Sequence, residues 1–186
     1  MLIDNELHDD IQGDELQRCA KLIKLVIFDV DGVLTDGRLY FNNQGEETKA
    51  FYSRDGLGIK MLLLAGIEVA IITGRQSTIV ARRAAELGIK HVYQGQPNKV
   101  AAFYDCIQTV NVTTEQVAFM GDDINDLAVM KLVGFSIVPP NATLETQASA
   151  HWVTTAHGGE GAARELCDLT LKTQNKWHDV LKFYGH

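Results

Sequence analysis

The stretch KLVIFDVDGVLTD, Lys24 to Asp36, carries two acids, Asp29 and Asp31, out of the end of an apolar run and follows them at once with Gly32. Its upstream half, LIKLVIFDV from Leu22 to Val30, is short, apolar and rich in β-branched residues, the pattern of a strand buried on both faces. Like charges at the end of such a strand repel each other. Either they mark a solvated strand end, or something in the fold requires them there.

Working outward, similar runs recur at IEVAIIT (Ile67 to Thr73), QVAFMG (Gln116 to Gly121) and GFSIV (Gly134 to Val138). Amphipathic segments separate them: DGLGIKMLLLAG (Asp55 to Gly66), QSTIVARRAAELG (Gln76 to Gly88) and NKVAAFYDCIQTV (Asn98 to Val110), the last just after Pro97. Strands alternating with helices of this length predict βαβ units, hence an α/β fold with a doubly wound, Rossmann-like parallel sheet. Such sheets bind ligands at the carboxyl ends of their strands. One segment breaks the alternation. Residues 38–52, RLYFNNQGEETKAFY, hold two runs of strand propensity around an Asn/Gly turn and predict an inserted β-hairpin. A polar helical leader within residues 1–20 precedes the sheet, and a glycine-rich tail, HGGEGAARE, opens residues 157–186 ahead of a final helical stretch.

Length and composition set bounds. The 186 residues, 46% hydrophobic with only 3 prolines, suit a single domain over residues 1–186. Against 24 acidic side chains stand 17 basic ones, a formal charge of -7 that works against attraction to nucleic acid or anionic membranes. Cys19, Cys106 and Cys167 have no paired spacing, so neither a disulfide framework nor a thiolate metal site is expected. With no basic leader before an apolar run and no membrane-length stretch, the expectation is a soluble cytoplasmic protein.

Laid against the strand ends, the polar residues form a pattern: Asp29 and Asp31 after the first strand, Thr73 and Gly74 after the second, Lys99 opening a later helix, and GDDIND, Gly121 to Asp126, after another. Carboxylates a few ångströms apart repel by several kcal/mol at low effective dielectric, roughly 4 kcal/mol at ε near 20, and a hard divalent cation relieves this. Magnesium takes oxygen ligands in octahedral geometry and is usually held by one or two carboxylates plus a substrate phosphate, which suits Asp29 and Asp122. A calcium loop fits poorly, because Val33 stands where a third ligand is needed and Tyr40 where a bidentate Glu belongs.

Together, the D-x-D-G-x-L-T-D run, Thr73-Gly74-Arg75, Lys99 and the Gly-Asp-Asp-x-x-Asp run resemble the four ordered motifs of the haloacid dehalogenase superfamily of phosphohydrolases. The small size, the hairpin in place of a cap domain and the tail GGEGAARE resemble, within it, the phosphatases of acidic sugar phosphates, in particular of an eight-carbon sugar acid of lipopolysaccharide synthesis. Relatives acting on nine-carbon sialic-acid-like sugar phosphates share the motifs, and that substrate stays open. So does, more remotely, a phosphorylated receiver domain.

The resemblance implies a mechanism residue by residue. Asp29 is the nucleophile that forms an aspartyl phosphate. Asp31 protonates the leaving sugar oxygen and then activates water, and its backbone carbonyl binds magnesium beside Asp29 and Asp122. Thr73 and Lys99 contact the phosphoryl group, while Asp123 and Asp126 support the metal ligands from behind. Gly32, Gly74, Arg75, Arg54, His157 and Arg164 are candidates for substrate binding; a carboxylate on the substrate rewards a guanidinium near the site. The tail is expected to close over the site. The resemblance also implies a homotetramer in which each hairpin, through Leu39, Phe41, Phe51 or Tyr52, helps wall its neighbour's site.

Overall fold

The structure, a computed structural model, describes residues 3–186, with side chains described from Gly13 onward. A helix α1, Ile3–Leu22, leads into strand β1, Leu25–Phe28; residues 1 and 2 of the predicted leader lie outside the described residues. Then follow the hairpin strands β2 (Tyr40–Phe41) and β3 (Glu47–Thr48), helix α2 (Ser53–Leu64), β4 (Glu68–Ile72), α3 (Thr78–Leu87), β5 (His91–Tyr93) and α4 (Lys99–Val110). The second half runs β6 (Val117–Met120), α5 (Leu127–Met130), β7 (Phe135–Val138), α6 (Leu144–Ser149), β8 (Trp152–Val153), α7 (Ala162–Thr173) and α8 (Trp177–Phe183).

Six strands form one sheet in the order β5-β4-β1-β6-β7-β8, and every pairing within it is parallel. The chain first builds outward from β1 through β4 to β5, then crosses back to β6 on the other side. The order therefore reverses at β1, and the crevice at the carboxyl ends of β1, β4 and β6 is the ligand position that such a sheet dictates.

Period-two alternation fills both faces. From β1, Val26 and Phe28 enter one core with residues of α2, α3 and α7, whereas Leu25 and Ile27 enter a second core with residues of α4 and α5. Neighbouring strands repeat the pattern: Val69 and Ile71 of β4 join the first core, Ala70 and Ile72 the second. All four residues of β1 are buried, which is why this strand reads as an unbroken apolar run. Two edge strands, β5 and β8, are absent from the sequence reading, and the hairpin pairs over only two residues on each side. Between β1 and α2 the chain inserts this hairpin and no cap domain. No helix among the described residues is long and apolar enough to cross a membrane.

Candidate active site

Parallel register brings the motifs to one edge. Phe28 pairs with Ile71 of β4 and Met120 of β6, so Asp29, Thr73 and Asp122 leave their strands at nearly the same height. Asp29 extends the ladder by one bond, its amide donating to the Met120 carbonyl at 2.9 Å. Past it the chain folds into a tight turn in which the amides of Val33, Leu34 and Thr35 all donate to the Val30 carbonyl. Gly32 sits in this turn at φ 87°, and a β-carbon there would lie 1.9 Å from Oδ2 of Asp122. Only glycine meets both demands, and its absence of a side chain lets the two acidic loops touch.

Asp29, Asp31, Thr73, Gly74, Arg75, Asp122 and Asp123 line one open pocket of about 220 Å³, together with Gly37 and Asn125. Lys99 lies behind this surface, 1% exposed, where the Asn98 side chain caps the start of α4 by accepting from the Val100 amide. Its ammonium is 2.8 Å from Oδ2 of Asp29 and donates to Oδ1 of Asp126 at 2.6 Å. Burial works against the charge on Lys99, but the two carboxylates outweigh it and hold its pKa above the ordinary value. Asp126 is fully buried, and its second oxygen accepts from the amides of Asp122 and Asp123 at 2.9 and 3.2 Å. Both oxygens of Asp126 are thus occupied. It fixes the lysine and the Asp122 loop, and one of its oxygens lies within 4.8 Å of ligand atoms of Asp29 and Asp122.

Electrostatically the crevice is short of positive charge. Burial raises the Asp29 carboxyl to about 6, with Lys99 opposing and Asp126 adding to the rise. For Asp122, burial and then the neighbouring Asp29, Asp126 and Asp123 raise it to about 8. One oxygen of Asp29, Oδ1, is buried without a hydrogen-bond partner among the described residues. A buried carboxylate oxygen left bare is costly, of order 1–3 kcal/mol, unless a ligand completes it. Oxygen-only donors around that bare atom match a hard divalent cation, so the residues present fit magnesium, with Asp29 and Asp122 to hold it.

Three expected contributors are not brought to the pocket. Arg54 is exposed on the first turn of α2. The Arg164 guanidinium donates to Asp168 at 2.6 Å, one helical turn on, and its amide donates to Asp55 at 2.9 Å. His157 is exposed, with its carbonyl accepting from the Glu160 amide. Arg164 and His157 are spent on the turn and start of α7, while Arg54 stays on α2. The tail is stitched to the loop that follows Asp29: Gly159 donates to the Val33 carbonyl at 2.9 Å, and Asn141 bridges the Gly32 carbonyl (3.0 Å) and the Gly158 amide (2.8 Å). A β-carbon on Gly158 would meet the Gly32 carbonyl oxygen at 1.8 Å.

Sequence reasoning misses two further groups. Lys49 and Glu47, on the hairpin, reach back to the site: Lys49 donates to Asp31 and lies 3.5 Å from Glu47, whose carboxylate also takes Arg75 at 3.0 Å and the Ser77 hydroxyl at 2.8 Å. Asn125 had a signal, since it lies inside GDDIND; an isolated Lys and Glu in a polar hairpin had none.

A parallel sheet that reverses at β1, with the Asp29 loop, a buried lysine and a second acidic loop on one edge, defines a hydrolase of the haloacid dehalogenase type. The chain belongs to the haloacid dehalogenase-like hydrolases, whose family model matches residues 88–166. Over 166 residues it is 48% identical to the 3-deoxy-D-manno-octulosonate 8-phosphate phosphatase KdsC of Yersinia pestis, covering 89% of this chain and 88% of that protein. The enzyme of the same name from Escherichia coli K12 is 50% identical over 84% of each chain. Among solved structures, the 3-deoxy-D-manno-octulosonate 8-phosphate phosphatase of Moraxella catarrhalis, in complex with magnesium, phosphate and KDO, superposes with a TM-score of 0.89 at 44% identity over 92% of this chain and 98% of that one.

Proposed function

We propose that this chain is a magnesium-dependent phosphatase that hydrolyses 3-deoxy-D-manno-octulosonate 8-phosphate, the acidic eight-carbon sugar phosphate of lipopolysaccharide biosynthesis, to the free sugar acid and phosphate. The observation that carries this reading is the setting of Asp29 at the strand end: Lys99 stands 2.8 Å from Oδ2, and Oδ1 is buried without a partner beside Asp122, so the carboxylate has a cation to balance it and an oxygen that a metal ion would complete. Likeness to the phosphatases named above supports the substrate.

Phosphoryl transfer asks for a nucleophile in line and positive charge around the equatorial oxygens. Asp29 forms the aspartyl phosphate as the sugar oxygen leaves, and Asp31 gives that oxygen a proton. Asp31 then takes a proton from the water that cleaves the intermediate. Lys99 balances the charge of nucleophile and phosphoryl group, and Thr73 and Gly74 offer a hydroxyl and an amide to the phosphate. Magnesium, held by Asp29, Asp122 and the Asp31 carbonyl, supplies positive charge to the phosphate oxygens when bound. Arg75 is the guanidinium closest to the acids at the pocket mouth and receives the sugar carboxylate. The working assembly is a homotetramer.

The test is turnover of purified protein with magnesium on a panel holding the eight-carbon sugar phosphate, a nine-carbon sialic-acid-type sugar phosphate and neutral hexose phosphates. The eight-carbon substrate is expected to have the highest kcat/KM, and a chelator to abolish release. A higher kcat/KM on the nine-carbon sugar would reassign the substrate, and a stable stoichiometric phosphoprotein would end the phosphatase reading.

A further inference from the structure

The hairpin is an unexpected platform for a buried lysine. Its large apolar side chains face solvent, with Leu39 49%, Tyr40 42% and Phe41 57% exposed. The side chain of Lys49, one residue past β3, is nevertheless only 2% exposed. Carboxylates, not apolar packing, surround its ammonium: it donates to Asp31 and lies 3.5 Å from Glu47. Glu47 is itself pinned to the domain by Arg75 and Ser77. Taking an ammonium out of water and freezing a four-carbon side chain is unfavourable unless the partners are held in place, and an ordinary surface ion pair does not require it.

From the side of Asp31 the arrangement is more telling. The turn at residues 30–36 is organised through backbone bonds to Val30 and fixes the path of the chain, not the direction of this carboxylate. Among the described residues, Lys49 is the one hydrogen-bond donor to the Asp31 carboxylate; the nearest other cation, Arg75, stands at 3.7 Å with 44% of its side chain exposed. The hairpin therefore sets where Asp31 points.

We propose that Lys49 is a positioning residue for the phosphatase reaction, aiming Asp31 at the leaving oxygen and at the attacking water, with Glu47 holding Lys49 in turn. This deepens the reading of Asp31 as acid and base and rests on it.

The test separates the two half-reactions with p-nitrophenyl phosphate in the presence of magnesium. In the first, a carboxylate oxygen of Asp29 bonds to phosphorus as the ester P–O bond breaks and nitrophenolate departs with the electron pair, needing no proton. In the second, a water oxygen bonds to phosphorus, the bond to Asp29 breaks, and the water's proton passes to Asp31. Lys49→Met is expected to release one equivalent of nitrophenolate as fast as the wild type's first turnover, followed by a steady-state rate lower by about 10- to 100-fold, the range over which a misplaced catalytic group acts. KM is expected to fall together with the steady-state rate, leaving kcat/KM within about twofold of wild type because that ratio reports the unaffected first step, and Lys49→Arg is expected to recover most of the rate. Glu47→Gln, which loosens Lys49 without touching Asp31, should give the same burst with a smaller steady-state loss and serves if Lys49→Met does not fold. A steady-state rate within twofold of wild type in both neutral variants, or a burst and a steady rate that fall by one common factor, overturns the assignment. Wild-type protein that releases no phosphate at all overturns the underlying phosphatase reading, a result distinct from silent variants of an active enzyme.

Discussion

Asp29 is arranged so that its two oxygens have different fates. One is neutralised by Lys99, and the other is left bare in the crevice. Asp29→Asn keeps the shape and the Lys99 contact but removes the nucleophile, so turnover is expected to vanish and metal affinity to weaken. Asp31→Asn leaves the attacking oxygen alone and removes proton transfer, and its kcat should fall by about 10²- to 10⁴-fold with metal binding retained. Steady-state rates and isothermal calorimetry on both variants check this, and an active Asp29→Asn would contradict the assignment. A second prediction follows from the crowding of acids. With Asp122 raised to about 8 and Asp29 to about 6, the ion-free site carries a proton at neutral pH that a cation must displace. Apparent magnesium affinity should therefore rise with pH, by up to about tenfold per unit between pH 6 and 8. Calorimetry at pH 7 in two buffers of different ionisation enthalpy should detect the released proton; a pH-independent affinity with no proton release would reject the account.

At the scale of elements, one buried acid ties α2 to the start of α7. Asp55, in the first turn of α2 and 2% exposed, accepts at Oδ1 from the Arg164 amide and so caps α7 from outside it, while its Oδ2 is buried without a partner. Burial raises its carboxyl to about 6, with the amides of Arg164 and Gly161 opposing. Since the folded value lies above the unfolded one, near 3.8, the folded state keeps a proton that the unfolded chain gives up. The stability this provides is complete below about pH 4 and is lost as pH rises through about 6, a span of up to about 3 kcal/mol. Asp55→Asn keeps a cap acceptor and removes the titration. Its melting temperature relative to wild type should climb between pH 4 and 7, and a difference that stays flat would refute the assignment. The same scale shows what a sequence displays. The inner strands β1, β4, β6 and β7 are legible because burial on both faces demands unbroken apolar runs, and the acids are legible because they follow those runs directly. Edge strand β5 has three half-buried residues and β8 only two, too few and too mixed to form a run. Lys49 escapes for a different reason. Its meaning lies in a contact with Asp31, 18 positions away, set by how the hairpin folds back, and no local periodicity records that.

At the scale of the whole molecule, the crevice lacks a roof of its own. The pocket is open, and the hairpin that rises beside it is tied to the domain by charge, through Lys49 and Glu47, while its apolar residues point away. Phe51 is not available to a neighbour, because it packs against the chain's own core, and Tyr52 is half-buried at the start of α2. Leu39 and Phe41, two positions apart and so on one side of the strand, remain as an exposed apolar strip, while the Tyr40 hydroxyl turns to Asp36. Association through this strip would set one subunit's hairpin near another's pocket and exclude water from an acyclic or cyclic sugar acid held there, which a lone chain does not achieve. The expectation is a tetramer of the 20.5 kDa chain in sedimentation, converted to monomer by Leu39→Ser with Phe41→Glu. Because the proposed acid, base and nucleophile, Asp31 and Asp29, stand together in one chain, the monomer should keep its kcat on p-nitrophenyl phosphate within a few-fold, while kcat/KM on the acidic sugar phosphate falls by about tenfold or more, mainly through KM. Wild-type protein that sediments as a monomer while turning over the sugar phosphate at full rate would show that the hairpin's apolar strip has no part in substrate choice.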